Sequence, residues 1–507
     1  MTERDPRSRV QLDVSLGREP EPVPLAPDTP FHIALLGDFR GAGREPGEMG
    51  APRPVRVDRD DLDDVLARFA PALRIATGPG DAPGITVTFR ELDDFHPDRL
   101  LERVPAFAAL WQLRKRLADP RTFAEAARAL RGTDVGAAPP ASATEPAPPA
   151  ARPVPGNLLE QILADVPGPA LERLPAAPED ELATLVRRIV APHLVRDQDP
   201  QQAALVAQVD ALLVDGLRAL LHHPEFQALE ALWRGVDFLT RRLETDGTLR
   251  VYLVDVPRAM LDRELATDEG TERSSLWRLA VNGIDGAPWA VLAGAYTFGA
   301  GEDDAALLAR IARIARAAGT VFIAAADARL AGCASLAATP DPDDWTLPPD
   351  PRFEAFRATA DAAHVGLALP RFLLRLPYGE EGESCEAFDF EEFAGPPAHE
   401  HYLWGNPAIA CALLLGQAFT QAGWALRPGL PATIDKLPLY VADREGEAEL
   451  QPCAEIVMTE RAAARIMERG LMPLASIRGT DAVQLVRFQS VASPLAALAG
   501  RWRAGGR

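Results

Sequence analysis

LHHPEFQALEALWRGVDFLTRR, residues 221–242, is the stretch from which the rest of the chain is read. Pro224 suits the first turn of a helix, where its missing N–H has no intrahelical partner to lose. Phe226, Leu229, Trp233, Val236 and Leu239 then recur near helical spacing, so one face is apolar and aromatic, with Phe226 and Trp233 as core anchors. Glu230 with Arg234, and Asp237 with Arg241, fall four apart and are expected on the exposed face, where such pairs add about 0.3 kcal/mol each. His222 and His223 are adjacent, about 100° apart on a helix, which is poor geometry for sharing a metal.

Outward from this helix the pattern changes twice. Towards the C-terminus, TLRVYLVDV, WAVLAGAYTFG and TVFIAAAD read as strands, and PRAMLDRELAT and DDAALLARIARIARAAG as the helices between them. That alternation predicts an α/β, mixed α+β fold with crossover connections. HVGLALPRFLLRLPY is cut into short pieces by its two Leu-Pro steps. HEHYLWGNPAIACALLLGQAFTQAG predicts a buried helix after Pro407, with Trp404 a further core anchor. PCAEIVMTERAAARIMERGLMPLASI predicts strand, helix, strand.

Towards the N-terminus, QQAALVAQVDALLVDGLRALL and PEDELATLVRRIVAPHLV predict two helices, and NLLEQILADV, residues 157–166, a short amphipathic one. Residues 132–156 are Pro/Ala-rich and read as a linker. Before it, FHIALLGDF is a buried-strand candidate, VRVDRDDLDDVLARFAP turns from strand to helix, and Ile85 to Phe89 is a strand. A helix is expected from His96-Pro97-Asp98. Asp93, Asp94 and Asp98 beside His96 are read as helix caps, since no second histidine or cysteine lies in register for a metal. In VQLDVSL, Val10, Leu12, Val14 and Leu16 alternate strictly. This strand would add to a sheet edge of another segment or chain, and a local hairpin edge fits the same pattern.

Composition narrows the function classes. Lys and Arg number 53 against 73 Asp and Glu, a formal net charge of −20, which argues against a general phosphate-backbone binder. Cys333, Cys385, Cys411 and Cys453 are widely spaced, so neither a zinc site nor a disulfide framework is indicated, and free thiols fit a cytoplasmic setting. No export signal or membrane insertion is predicted. Gly37, Gly41 and Gly43 follow a strand but miss both nucleotide templates. No G-x-S-x-G elbow, H-E-x-x-H or Walker loop occurs, so catalytic, cofactor and metal sites are all expected to be none. His399 and His401 are read as a polar loop before a buried helix. Asp389, Glu391 and Glu392, interleaved with Phe388, Phe390 and Phe393, are read as an exposed acidic loop packed by its aromatics.

LHHPEFQALEALWRGVDFL, WAVLAGAYTFG, TVFIAAAD, VGLALPRFLLRLPYG, FDFEEF, HYLWGNPAIA and PCAEIVMTERAAARIMERGLMPL, in that order and spacing, resemble the large subunit of the type VI secretion contractile sheath. The likeness runs over roughly residues 157–490, to Phe488-Gln489-Ser490. FHIALLGDF, RPVRVDRDDLDDVLARFAP and FRELDDFHPDRLLERVPAFAALWQLRKRL resemble its small subunit. The resemblance implies a phage-tail-sheath-like fold in two modules: an arm (1–30), a small-subunit-like domain (31–131), the linker (132–156), a helical region (157–220), a large-subunit-like domain (221–490) and a tail (491–507). It implies a structural protomer, not an enzyme, that assembles with itself or other sheath subunits around an inner-tube protein, against baseplate components, in the cytoplasm. Val10 to Leu16 becomes a candidate inter-protomer strand. Leu158, Leu159, Ile162 and Leu163 fall on the helix that the recycling AAA+ ATPase grips in the family. The family's large subunit continues past the position matching Ser490 into strands of the inter-protomer mesh, so this sequence is expected to be a C-terminally shortened version. A non-polymerising adaptor or capping factor and an α/β enzyme are the alternatives.

Overall fold

The structure is a computed structural model that describes residue 26 and residues 28–41, 51–75, 85–131, 202–380, 382–395, 397–429, 431–444 and 447–502. The arm strand at 10–16, the linker, and the helices expected at 157–166 and 178–195 lie outside the described residues.

A nine-stranded sheet runs through the molecule in the order β11-β15-β14-β8-β7-β6-β1-β5-β2. Its middle is parallel: β14 (Met472–Ser476), β8 (Val365–Leu369), β7 (Val321–Ala326), β6 (Trp289–Phe298), β1 (Phe31–Gly37) and β5 (Leu249–Asp255). β2 (Val55–Val57), β15 (Val483–Leu485) and β11 (Ala432–Ile434) add antiparallel at the two ends. β3 (Ala72–Ile75) and β4 (Ile85–Thr88) form a separate antiparallel pair, as do β9 (Phe372–Leu373) with β10 (Trp404–Gly405), and β12 (Tyr440–Arg444) with β13 (Glu447–Gln451).

β1 is the only one of the six central parallel strands that comes from the first 131 residues, and it is paired on both sides. Phe31 to Gly37 match Leu249 to Asp255 of β5 residue for residue, while Ile33 to Leu36 match Val291 to Gly294 of β6. Because successive side chains point to opposite faces, Phe31, Ile33 and Leu35 enter one core and Ala34 and Leu36 the other. A strand covered on both faces carries an apolar run, and FHIALLG is one but for the buried His32.

Helices cover both faces. One layer holds α1 (Leu62–Phe69), α2 (Pro97–Arg103), α3 (Pro105–Ala118), α4 (Phe123–Arg131), α5 (Gln202–Leu221), α6 (Pro224–Arg242) and α11 (Pro407–Ala422). The other holds α7 (Arg258–Glu264), α8 (Ser275–Asn282), α9 (Glu302–Ala318), α10 (Pro351–Arg357) and α12 (Glu460–Glu468). From Pro407 to Gly416 α11 is apolar all round and lies between the sheet and α6, so its buried faces explain its composition. A Cβ added to Gly235 of α6 would lie 2.4 Å from Ile409 Cδ1 of α11, so glycine lets these two helices approach closely. The helix expected from His96 is divided, because Pro105 opens a new helix at N1.

Two expectations are corrected. Residues 452–458 do not form a strand: Ala454 makes a single bridge to Phe372 and Leu373 N donates to Cys453 O at 2.8 Å. Their partner β9 runs only two residues before the chain turns away, so no ladder can extend. The charges of α6 are not all on a solvated face either: Glu230 is 0% exposed, and the face holding it and Arg234 is covered by residues 375–392.

Candidate functional site: the joint between the two segments

Aromatic contacts, inter-helix hydrogen bonds and a buried charge network converge where the first 131 residues meet α5, α6 and the loop at 375–393. α6 is the centre of this joint. Trp233 is fully buried, and its indole N–H donates to Phe39 O at 3.1 Å, satisfying the one polar group that burial would otherwise strand. Phe39 and Phe69 lie edge-on to that ring, with centroids at 5.4 and 5.7 Å. About two turns earlier, Phe226 is met edge-on by Phe89 and Phe95, themselves stacked at 4.2 Å. The apolar face of α6 thus packs against aromatics of the N-terminal segment, each such pair adding about 0.5–1.5 kcal/mol beyond area burial.

α5 extends the joint along α3. Gln202 Nε2 donates to Leu117 O and Ala118 O at 2.8 and 2.9 Å, which satisfies carbonyls at the C-terminal end of α3. Arg114 Nη2 donates to Asp210 Oδ2 at 3.2 Å. A Cβ on Gly216 would sit 2.7 Å from Phe107 Cε1, so α5 carries glycine where that ring presses on it.

The third component is a buried charge network. Arg375 donates from Nε to Glu230 Oε1 at 2.8 Å and from Nη1 to Glu392 Oε2 at 2.7 Å. Arg234 donates to the same Glu230 at 2.7 Å and to the Tyr378 hydroxyl at 2.8 Å, and the Tyr378 ring lies 4.1 Å from the Arg375 guanidinium. Tyr378 N donates to Glu392 Oε2 at 2.8 Å. Burial alone would raise the pKa of Glu392; the Arg375 guanidinium, the nearby His222 ring and the hydrogen bonds from Arg375 and Tyr378 N outweigh it and hold the carboxyl at about 2. Burial likewise disfavours the Arg375 cation, and Glu230 and Glu392 reverse that, pushing its pKa well upward.

The loop read as exposed and acidic is therefore half anchor. Glu392 is 1% exposed, Phe388 and Phe390 are buried, and Phe388 reaches Trp111 of α3 at 6.0 Å. Glu391 Oε1 accepts from Glu380 N, while Arg218 of α5 donates to Glu391 O. Asp98, read as a helix cap, instead accepts from Glu386 N and Ala387 N at 2.9 and 3.1 Å, binding α2 to this loop. His96 caps α2 through Nδ1, accepting from Asp98 N, and Asp94 accepts from Arg90 N and Glu91 N while pairing with Arg103. Arg375 carries no local signal of its role in sequence, since its partners Glu230 and Glu392 lie 145 and 17 residues away.

The histidines of the joint and its surroundings pair with rings and carboxylates. His222 stacks flat on His401, centroids 4.0 Å apart, with His222 Nε2 3.6 Å from Glu392 Oε1. His399 lies on a short 3₁₀ turn with Nε2 2.9 Å from Glu455 Oε1, which also pairs with Arg371 at 2.6 Å. Among the described residues no group of three or more His, Cys, Asp or Glu is arranged to hold a metal. A cavity of about 320 Å³ opens near the carboxyl ends of β6, β7 and β8, beside Asp327, Arg371, His399 and Glu455. Glu455 in its wall binds both Arg371 and His399. Trp404 is 6% exposed and packs with Tyr402 and Leu373.

Both segments have known relatives. Residues 203–492 match the VipB family model, described as EvpB/VC_A0108, tail sheath N-terminal domain, and residues 2–133 match the type VI secretion system VipA family. The type VI secretion system sheath protein TssC1 of Pseudomonas aeruginosa is 29% identical over 342 residues, covering 64% of this chain and 69% of that protein. The sheath protein TssB1 of the same organism is 29% identical over 126 residues, 24% of this chain and 70% of its own length. With more than half its length matched by the large-subunit model and its first segment by the small, the chain belongs to the type VI secretion contractile-sheath family, as a structural sheath protomer in which a small-subunit segment is fused to a large subunit.

Proposed function

We propose that the fusion supplies a ready-made sheath protomer, whose two segments fold as one unit and enter the assembly together without catalytic activity of their own. The observation that carries this reading is β1, which takes both its partners from residues after 202. A strand with unpaired backbone groups on each side cannot remain buried alone, so the first segment needs the second to complete its core. Residues 31–131 and 221–490 are then the small- and large-subunit parts, with 132–156 as the tether.

In this reading Val10, Leu12, Val14 and Leu16 supply a strand to a neighbouring protomer, and Leu158, Leu159, Ile162 and Leu163 present the helix gripped by a recycling AAA+ ATPase. The other partners are an inner-tube protein and baseplate components, and the setting is the cytoplasm. Support comes from the family and from the alternation of residues 10–16. Negative-stain electron microscopy of the purified protein, alone and mixed with full-length sheath subunits, tests it. Tubes or co-assembled sheath are expected; discrete particles under both conditions, at high concentration and varied salt, would overturn the assembly reading.

A further inference from the structure

The hairpin of β12 and β13 pairs with no third strand among the described residues. Its base is fixed, because Tyr440 packs on Phe393 and Tyr402 at 6.1 and 6.0 Å and the opposing Gln451 is buried. Val441 and Leu450 oppose each other one step along the ladder and so lie on the other face. They are 45% and 36% exposed, and Leu439, on the same side as Val441, is 38% exposed. A two-stranded ribbon with an apolar face is marginal in water, and its edges are templates for another strand.

We propose that in the unassembled protomer the chain's own residues Val10–Leu16 close on this hairpin as a third strand. The alternation of Val10, Leu12, Val14 and Leu16 provides one apolar face to continue that of Leu439, Val441 and Leu450. The reach also suffices. Trp424, just past the C-terminal end of α11, donates to Thr29 O, while Trp404 and Tyr402, beside the hairpin base, precede its N-terminal end. A helix of this length spans about 24 Å. The twelve residues 17–28 extend to about 40 Å. A tether of that size sets an effective concentration of about millimolar, so at micromolar protein the arm meets its own hairpin before that of another copy. The inference rests on the reading of residues 10–16 as a strand; assembly would then exchange this internal strand for a neighbour's.

Hydrogen exchange on the full chain, at two micromolar-range concentrations tenfold apart, reads this directly. Backbone amides of 440–451 are expected to be protected to the same degree at both. Deleting residues 1–20, or removing an arm N–H with Val14→Pro, should speed their exchange by about tenfold or more while β1 and β6 stay protected, which also controls for folding. Val14→Asp, which keeps the N–H and removes the apolar contact, should give an intermediate effect. Hairpin exchange indifferent to all three changes would overturn the proposal. So would protection that is lost on dilution, which assigns the third strand to another copy. Tube formation is scored separately: failure to form tubes with hairpin protection intact counts against the assembly reading and leaves this inference standing.

Discussion

Arg375 neutralises two carboxylates that water no longer reaches, and this makes it the residue whose loss the joint tolerates least. Arg375→Met should destabilise the protein by about 3–5 kcal/mol in urea or guanidinium titration, because Glu392 is left buried without its guanidinium partner and Glu230 keeps only Arg234. Glu392 also predicts the acid behaviour. Its carboxyl titrates at about 2 in the folded chain against an ordinary value near 4.5, so its contribution is complete above that ordinary value and is lost as pH falls towards 2. His32 acts at milder pH. Neither ring nitrogen has a hydrogen-bond partner, and burial first, then the Arg250 cation, lower its pKa to about 4, against a smaller opposing effect of Asp285. The unfolded chain binds this proton near 6.5 and the folded chain does not, so stability should fall as pH drops from 6.5 to 4. His32→Phe should flatten that part of the stability–pH curve; an unchanged slope would contradict the assignment. None of this was legible locally. The spacing of Glu230 and Arg234 is that of an exposed pair, and only the return of residues 375–392 to α6 buries it.

Elements were easier to read than sites. The apolar runs of β1, β5, β6 and β7 and the amphipathic repeat of α6 state their own secondary structure, because each buries faces that its period defines. The failure at 452–458 has the opposite cause: an apolar run forms a strand only beside a partner long enough to pair with, and β9 is not. At this scale the α6–α11 contact is the most sensitive to size. Gly235→Val should cost about 1–3 kcal/mol or more by overpacking against Ile409, seen as a lowered thermal midpoint. Trp233→Ala should cost about 3–5 kcal/mol, since it removes a buried ring together with the hydrogen bond to Phe39 O. If Trp233→Ala instead left stability within 1 kcal/mol of wild type, α6 would not be the hub of the joint.

At the scale of the molecule, sequence order separates two segments that the sheet interleaves. The family likeness gives each segment its counterpart, and strand pairing gives their relation: β1 sits between β5 and β6, with α3 laid along α5 and the loop at 375–393 over α2 and α6. No sequence period encodes which strand enters between which others, because that is set by shape complementarity across two cores. The tether at 132–156 should therefore be dispensable once folding is complete. The most direct measurement places a specific protease site within residues 140–150, cleaves the folded protein and follows it by size-exclusion chromatography at micromolar concentration and physiological salt. The two fragments are expected to co-elute as one particle of unchanged size and to separate only in denaturant. Separation of the fragments under native conditions would contradict a single protomer built from both.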